Sequence, residues 1–289
     1  MRPELQKKID RAIKLLRSIP LAEGEAVEVS YSGGKDSDVI LQLTKEAGIN
    51  YRAIYKNTTI DPPGTAAHAR QMGAEVMMPD KSFFELMAER GLPSRWSRFC
   101  CEHLKEYKVL DRAIQGIRRT ESTKRAARYK EPELCRSYGK GVKARVYLPI
   151  LDWTDQDVAD FVADRKIQCH PLYYTNGVFH VERRLGCMGC PLASMTKRLE
   201  EFKEHPNLIK AWVRASAKHM AKHPNVSSRK RYKNAYNHVV RNLFYTTDED
   251  FFAATEGLMG NIDSKAILED YFGIKFNEAT MSRYDTTNA

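Results

Sequence analysis

The stretch Ala26-Val-Glu-Val-Ser-Tyr-Ser-Gly-Gly-Lys-Asp-Ser37 decides how this chain folds. A short β-branched run ends in two glycines. From Asp36 to Ala47 helical periodicity follows, with Val39, Ile40, Leu41 and Leu43 as its apolar positions. The reading is strand, glycine turn, helix. Glycines at such a turn let backbone N–H groups approach an anion closely. The helix N-terminus behind them adds its partial positive charge, and Lys35 adds a full one. Ser32 and Ser37 can donate to phosphate oxygens. The segment matches neither the P-loop pattern G-x-x-x-x-G-K-[ST] nor the three spaced glycines of a dinucleotide turn. A plain β–α connection without a ligand is the alternative.

Outward from this unit, strands and helices alternate. Tyr51 to Lys56 reads as a second strand, with a turn through Asp61-Pro62-Pro63-Gly64 and a helix from Thr65 to Met72. Ala74 to Met78 reads as a third strand and Ser82 to Arg90 as the helix after it. That spacing predicts an α/β fold, a doubly wound parallel sheet covered on both faces. Before it, residues 3–18 form an amphipathic helix. After it, a helix is expected from Glu102 to about Asp111, then a buried strand over Arg112 to Ile117. Residues 119–145 read as a mobile polar excursion. Val146 to Ile150 returns to order, and Asp152 to Val162 reads as a helix with Thr154 as its N-cap. Residues 194–242 are helical and basic, densest at Arg229-Lys-Arg231, with Trp212, Tyr232 and Tyr236 interleaved. Residues 248–275 are more acidic and end in a small helix, and the final dozen residues are expected to fray. The expected domains are 1–193, an α/β nucleotide-binding unit, and 194–289, a basic helical extension.

The 289 residues carry 47 Lys and Arg against 37 Asp and Glu, a net charge of +10 that suits phosphates, nucleotides or nucleic acid. No apolar run reaches the roughly 18 residues that cross a bilayer, so no membrane partner is expected. The N-terminus has no apolar h-region, and a cytoplasmic protein is expected. Six cysteines without a secretory signal argue for metal or redox chemistry over a disulfide framework.

The motifs resemble a known family. Ser32-Gly-Gly-Lys-Asp-Ser37 after a strand resembles the phosphate loop of the PP-loop ATP pyrophosphatases, the adenine nucleotide alpha hydrolase-like superfamily with its Rossmann-like sheet. The resemblance implies that ATP is cleaved at its alpha-phosphate, giving an adenylate and pyrophosphate. It further implies that Lys35 and the amides of Gly33 and Gly34 hold the beta- and gamma-phosphates, and that Asp36 places Mg2+ or fixes the loop. Asn57-Thr-Thr-Ile-Asp-Pro62 lies where relatives of phosphoadenylyl-sulfate (PAPS) reductase carry an aspartate–threonine–glycine stretch, which puts Asn57, Thr58 and Asp61 at the nucleotide. Gly116-Ile-Arg-Arg-Thr-Glu-Ser122 is similar to their G-x-R-x-x-E-S segment. By resemblance Gly116 lies at the nucleotide, and Arg118, Arg119 and Arg125 hold the alpha-phosphate or the acceptor. Leu148-Pro-Ile-Leu-Asp-Trp-Thr154, His170-Pro-Leu-Tyr173 and Arg184-Leu-Gly-Cys187 extend the likeness, which covers about residues 26–193.

The cysteines narrow it further. Cys100 and Cys101 are adjacent, and Cys187 and Cys190 form a C-x-x-C. Structural zinc usually takes two C-x-x-C pairs, because a two-residue spacer turns both sulfurs toward one ion. Adjacent thiolates suit the separate iron corners of a 4Fe–4S cluster better. The pattern also resembles that of assimilatory adenylyl-sulfate reductases. Zinc and buried free thiols are the alternatives.

Two features depart from those reductases. No cysteine follows Cys190, so their C-terminal nucleophile is missing, and only Cys135 and Cys169 remain as spare thiols. The phosphate loop, in contrast, keeps its full lysine–aspartate–serine form. Both point to ATP cleavage coupled to sulfur transfer, with tRNA or DNA as substrate of the basic helices and a sulfur-donor protein as a further partner. The rivals are an adenylyl-sulfate or PAPS reductase taking a thiol from Cys135 or a partner, and a nucleotide- and nucleic-acid-binding accessory protein of low turnover.

Overall fold

A computed structural model describes residues 2–138, 143–256 and 263–277. In chain order its elements are α1 (Pro3–Arg17), β1 (Val27–Tyr31), α2 (Lys35–Ala47), β2 (Tyr51–Lys56), α3 (Thr65–Gln71), β3 (Glu75–Met77), α4 (Phe83–Arg90), α5 (Phe99–Leu104), β4 (Arg112–Ile114), α6 (Thr123–Arg128), β5 (Glu133–Ser137), β6 (Lys143–Tyr147), α7 (Asp155–Asp164), β7 (Tyr174–Thr175) and β8 (Val178–Phe179). The helices α8 (Met195–Glu204), α9 (Pro206–Lys222), α10 (Ser227–Tyr232), α11 (Ala235–Phe244), α12 (Asp248–Glu256) and α13 (Ser264–Phe272) follow.

The chain divides into two compact units, one of residues 1–79 with 101–186 and one of 80–100 with 187–289. The division falls at 186/187, so the C-x-x-C turn belongs with the C-terminal helices.

The first unit is the doubly wound, mostly parallel sheet, in the order β3-β2-β1-β4-β6-β5. Every pairing is parallel except β5 against β6. Central β1 buries Val27, Val29 and Tyr31, and α2 packs Val39, Ile40, Leu41 and Leu43 over it. On α1, Leu5, Ile9, Ala12 and Leu16 form one buried stripe at helical spacing. A capping box starts α7: Thr154 Oγ1 accepts from the Asp157 amide, and Asp157 accepts from the Thr154 amide. Asp157 also accepts from Arg2 and Lys8, which fastens α1 to that helix start.

The stretch 102–117 and the polar excursion differ from the sequence reading. The helix expected to Asp111 ends at Leu104, and β4 stops at Ile114. Residues 119–145, expected to be mobile, include α6 and the antiparallel edge strand β5. An edge strand buries only one face, and here the half-buried positions are Leu134 and Arg136. One aliphatic residue and one cation do not register as an apolar alternation. The terminal dozen residues lie outside the described residues.

In the second unit α4 packs on α9. Phe83, Phe84 and Phe202 surround the Trp212 ring at centroid distances of 5.0, 6.0 and 5.1 Å. Trp212 is 1% exposed and Tyr232 is buried, so these two of the interleaved aromatics are core, while Tyr236 is half-buried. No helix among the described residues is long and apolar enough to cross a membrane.

This second core predicts acid sensitivity. Burial, then the nearby His219 and Arg241, push the His238 pKa down to about 3, with Asp248 opposing them in part. The unfolded chain therefore takes up a proton near pH 6.5 that the folded chain refuses. Stability from this group is complete above that pH and is lost as pH falls, by about 2 kcal/mol at pH 5. The measured loss between pH 7 and pH 5 should shrink by about that amount in His238→Gln. An unchanged pH slope in the variant contradicts the assignment.

Candidate functional site

Strand order reverses between β1 and β4, where the chain leaves toward β2 and β3 on one side and β6 and β5 on the other. Crevices at the carboxyl ends of strands form at such switch points. The loop Ser32-Gly33-Gly34 leaves β1 here and enters α2 directly. No side chain caps the first turn of α2, so its N-terminus faces the crevice as an anion-ready end. Gly33 takes φ +76, and the Ser37 amide and hydroxyl both donate to the Gly34 carbonyl, at 2.8 and 2.6 Å. Opposite, Gly116 lies two residues past the end of β4. A Cβ there would stand 2.9 Å from the Asp36 carbonyl oxygen and 3.0 Å from its carbon, so only glycine permits this approach.

Between them lies a cleft of about 240 Å³ lined by Ser32, Gly34, Lys35, Asp36, Ser37, Gly116 and Arg125, with Glu121, Tyr173 and Arg184 closing it. Lys35 Nζ donates to the Arg183 carbonyl and to Asp36, both at 3.3 Å, and lies 5.5 Å from the centre of the Tyr173 ring. The Tyr173 hydroxyl accepts from the Leu185 amide at 3.2 Å. Burial pushes its pKa up to about 12, so it remains protonated. Burial and then the adjacent Arg184 cation lower the Arg125 pKa, with Asp36 opposing them in part. Glu121 pairs with both arginines.

Arg118 and Arg119 do not line this cleft. Arg118 is 2% exposed. It donates to Asp36 at 2.7 Å, Asp155 at 2.8 Å and Thr120 at 3.2 Å. It fixes Asp36, and so the first turn of α2. Arg119 is held by Asp152 and by the Tyr129 and Lys130 carbonyls. Nothing in the local sequence distinguishes a ligand-facing arginine from these, because Arg118 is held from α2 and the start of α7 and Arg119 from Asp152 and the carbonyls of residues 129 and 130.

A second cleft of about 200 Å³ shares Ser30 and Ser32 with the first. Its floor is Glu28, fully buried, which accepts from Ser30 at 3.0 Å, Lys56 at 3.3 Å and the Leu110 amide at 3.1 Å. Burial lowers the Lys56 pKa, and Glu28 opposes that shift. Gln115, Arg136 and Tyr138 close one side, with Arg136 bonded to Glu106 at 2.8 Å. Of the residues expected at the nucleotide, Asp61 lines this cleft and accepts from Tyr55 at 2.6 Å and the Thr58 amide at 3.2 Å. Asn57 and Thr58 shape the turn, with Asn57 accepting from the Thr59 amide at 2.7 Å. Sequence reading missed Glu28, although a carboxylate inside a β-branched run was its signal.

The cysteines are distributed differently. Cys100 and Cys101 lie in α5, and Cys187 and Cys190 bound a turn. Gly189 has φ +67, and a Cβ on it would meet the Phe202 ring at 2.5 Å. Its amide donates to Glu201 at 2.7 Å. Beside Cys190 sits buried Arg198, whose pKa burial lowers to about 10 against the opposing pull of Cys190 and Glu201. Two of its nitrogens donate to Asn242, while its buried Nε has no hydrogen-bond partner. Among the described residues no disulfide is present, and no three His, Cys, Asp or Glu side chains gather so as to hold a metal ion.

The model of the phosphoadenosine phosphosulfate reductase domain matches residues 26–193, more than half of the chain. An uncharacterised protein of Methanocaldococcus jannaschii is 28% identical over 230 residues, 73% of this chain and 52% of that protein. An uncharacterised 37.8 kDa protein of Escherichia phage 186 is 30% identical over 159 residues, 50% of this chain and 45% of its own length. The chain thus spans about half the length of these relatives. Among solved structures, FMN adenylyltransferase of Candida glabrata with ATP superposes at TM-score 0.40 and 15% identity, covering 59% of this chain and 58% of the enzyme. PAPS reductase of Candida auris gives 0.39 and 15%, covering 62% and 97%. The U34-tRNA thiolase of Methanococcus maripaludis with its 4Fe–4S cluster gives 0.39 and 13%, covering 90% of each chain.

Proposed function

The chain belongs to the phosphoadenosine phosphosulfate reductase domain family, and from that premise we propose that it cleaves ATP between the alpha- and beta-phosphates and couples the resulting adenylate to sulfur transfer. One observation carries this reading. The complete Ser32–Ser37 loop opens on an uncapped helix N-terminus, in one cleft with Lys35, Arg125 and Arg184. A ligand with a pyrophosphate group is what such a cradle suits.

An acceptor oxygen attacks the alpha-phosphorus, and the bond to the alpha–beta bridging oxygen breaks. Pyrophosphate leaves with the electron pair, and the loop amides and Lys35 stabilise the charge gathering on it. Arg125 and Arg184 hold the alpha-phosphate. The nucleoside occupies the second cleft, which opens from the first at Ser30 and Ser32. Sulfide then attacks the acceptor carbon that bears the adenylylated oxygen, the C–O bond breaks, and AMP leaves with the electron pair. Asp36, engaged by Arg118 and Lys35, suits fixing the loop rather than ligating Mg2+. The ion would enter on the nucleotide phosphates, as Mg2+ commonly does.

The cysteine donor set suits a cluster. Four thiolates are soft ligands for iron, and the Arg198 cation beside Cys190 offsets the negative charge such a site accumulates. A 4Fe–4S cluster on Cys100, Cys101, Cys187 and Cys190 would supply iron for handling sulfur. The +10 charge supports a nucleic-acid acceptor, tRNA or DNA. The reductase with Cys135 as nucleophile is disfavoured. Cys135 is exposed on β5, and alternation turns it to the face opposite Arg136, which lines the second cleft.

The test is pyrophosphate release from ATP and Mg2+ by anaerobically prepared protein, with and without tRNA or DNA. Release stimulated by one polymer is expected. No release under any condition, together with sulfite release from adenylyl sulfate and a thiol, would overturn the reading in favour of the reductase.

A further inference from the structure

The chain has three tryptophans, and two of them behave as tryptophans in folded proteins do. Trp153 and Trp212 are each 1% exposed, whereas Trp96 is 97% exposed. Its display is built. The Ser94 amide donates to the Ser97 carbonyl at 3.1 Å, and Ser94 Oγ accepts from the Trp96 amide at 3.3 Å and the Ser97 amide at 3.0 Å. These bonds close a tight turn with the indole at its tip. Buried Pro93 and Phe99 anchor the two ends. Arg95 Nε donates to the Pro191 carbonyl at 3.2 Å, which ties the turn beside Leu192, itself 51% exposed. Arg95 and Arg98, both exposed, stand one residue before and two residues after Trp96 in the chain, and residues 91–98 contain no acid.

A large π-face held out to water, with an exposed arginine before it and another two residues after it in the chain, adds nothing to its own unit's core. Its chemistry matches an aromatic ring joined to anions, that is, a base with phosphates on either side. Bases inside a duplex already have both faces stacked, so the fitting partner is an unpaired base. We infer that Trp96 is a stacking platform for an unpaired base of a single-stranded or looped nucleic acid, with Arg95 and Arg98 engaging the neighbouring phosphates. This rests on the nucleic-acid reading above and names the form of polymer that the protein takes. Of the interleaved aromatics of the C-terminal helices, Trp212 and Tyr232 are buried and half-buried Tyr236 packs edge-on against Phe276, so none presents a free face as Trp96 does.

Trp96 also provides the probe. As the exposed indole of the three, it carries the red edge of the emission spectrum. Titration with a single-stranded oligonucleotide should quench that edge saturably, and the matching duplex should do so weakly. Trp96→Ala should abolish the quench and weaken single-strand affinity by about 10- to 100-fold, while Trp96→Phe keeps most of the affinity. Pyrophosphate release from ATP alone should be equal in wild type and Trp96→Ala. If wild type binds the single strand and Trp96→Ala binds it equally well, the platform is wrong and the nucleic-acid reading stands. If wild type binds neither RNA nor DNA, both fall. A loss of self-association in Trp96→Ala with polymer affinity unchanged would overturn the inference and make a second copy the occupant.

Discussion

Lys35→Ala lowers pyrophosphate release by about 100- to 1,000-fold, the usual cost of removing one preorganised charge from a developing anion. Lys35 is 2% exposed and stands on the first turn of α2, beside the amides that face the cleft. Its ammonium makes two long contacts, to the Arg183 carbonyl and to Asp36. Neither sustains the fold. Asp36 keeps its 2.7 Å bond to Arg118 when Lys35 is truncated, so no carboxylate is stranded. The stability cost is therefore that of one ordinary hydrogen bond, about 1 kcal/mol. Rate and stability separate: pyrophosphate release collapses while the thermal midpoint moves by a few degrees. Wild-type release in the variant would sink the phosphate cleft as the site of cleavage.

The part of the site that Lys35 belongs to was legible because its determinants are local. A β-branched run, two glycines and an amphipathic helix are adjacent in sequence, and each has a structural preference of its own. The same holds for Thr154 and α7, where a capping box is written within four residues. Legibility fails where partners come from elsewhere. Arg118 and Arg125 lie within one short basic stretch, yet one is clamped by Asp36 and Asp155 and the other lines the cleft. Composition cannot sort them, since the sorting is done by α2 and α7. Strand β5 was hidden for a related reason. Its inward residues, Leu134 and Arg136, form half of an edge strand whose remaining order is supplied by pairing with β6. Trp96 escaped notice because sequence does not say which of three tryptophans is left outside.

Cys187→Ala is expected to remove the iron altogether, and this is the variant that separates a cluster from its competitors. A cubane that loses one of four thiolates to a methyl group keeps an iron corner with no protein ligand. Anaerobically purified Cys187→Ala should then lose the brown colour and the bound iron and sulfide of the wild type. Cys100→Ala, Cys101→Ala and Cys190→Ala should lose them alike, because the four ligands act as one set. Cys135→Ala and Cys169→Ala set the baseline. Cys135 is exposed on an edge strand, and burial beside Asp38 holds the Cys169 thiol protonated. Neither should change the iron content. Zinc in place of iron, lost in the same four variants, would keep the ligand set and overturn the cluster. Metal retained in Cys187→Ala would remove that residue from the set. Arg198 sharpens the distinction, because it stands beside Cys190 with an unpartnered buried Nε and needs a negative neighbour to repay its burial. Arg198→Met should therefore lower the stability of the metal-loaded protein more than that of the metal-free protein. Equal losses in both would mean that the arginine serves the helices and not the thiolates.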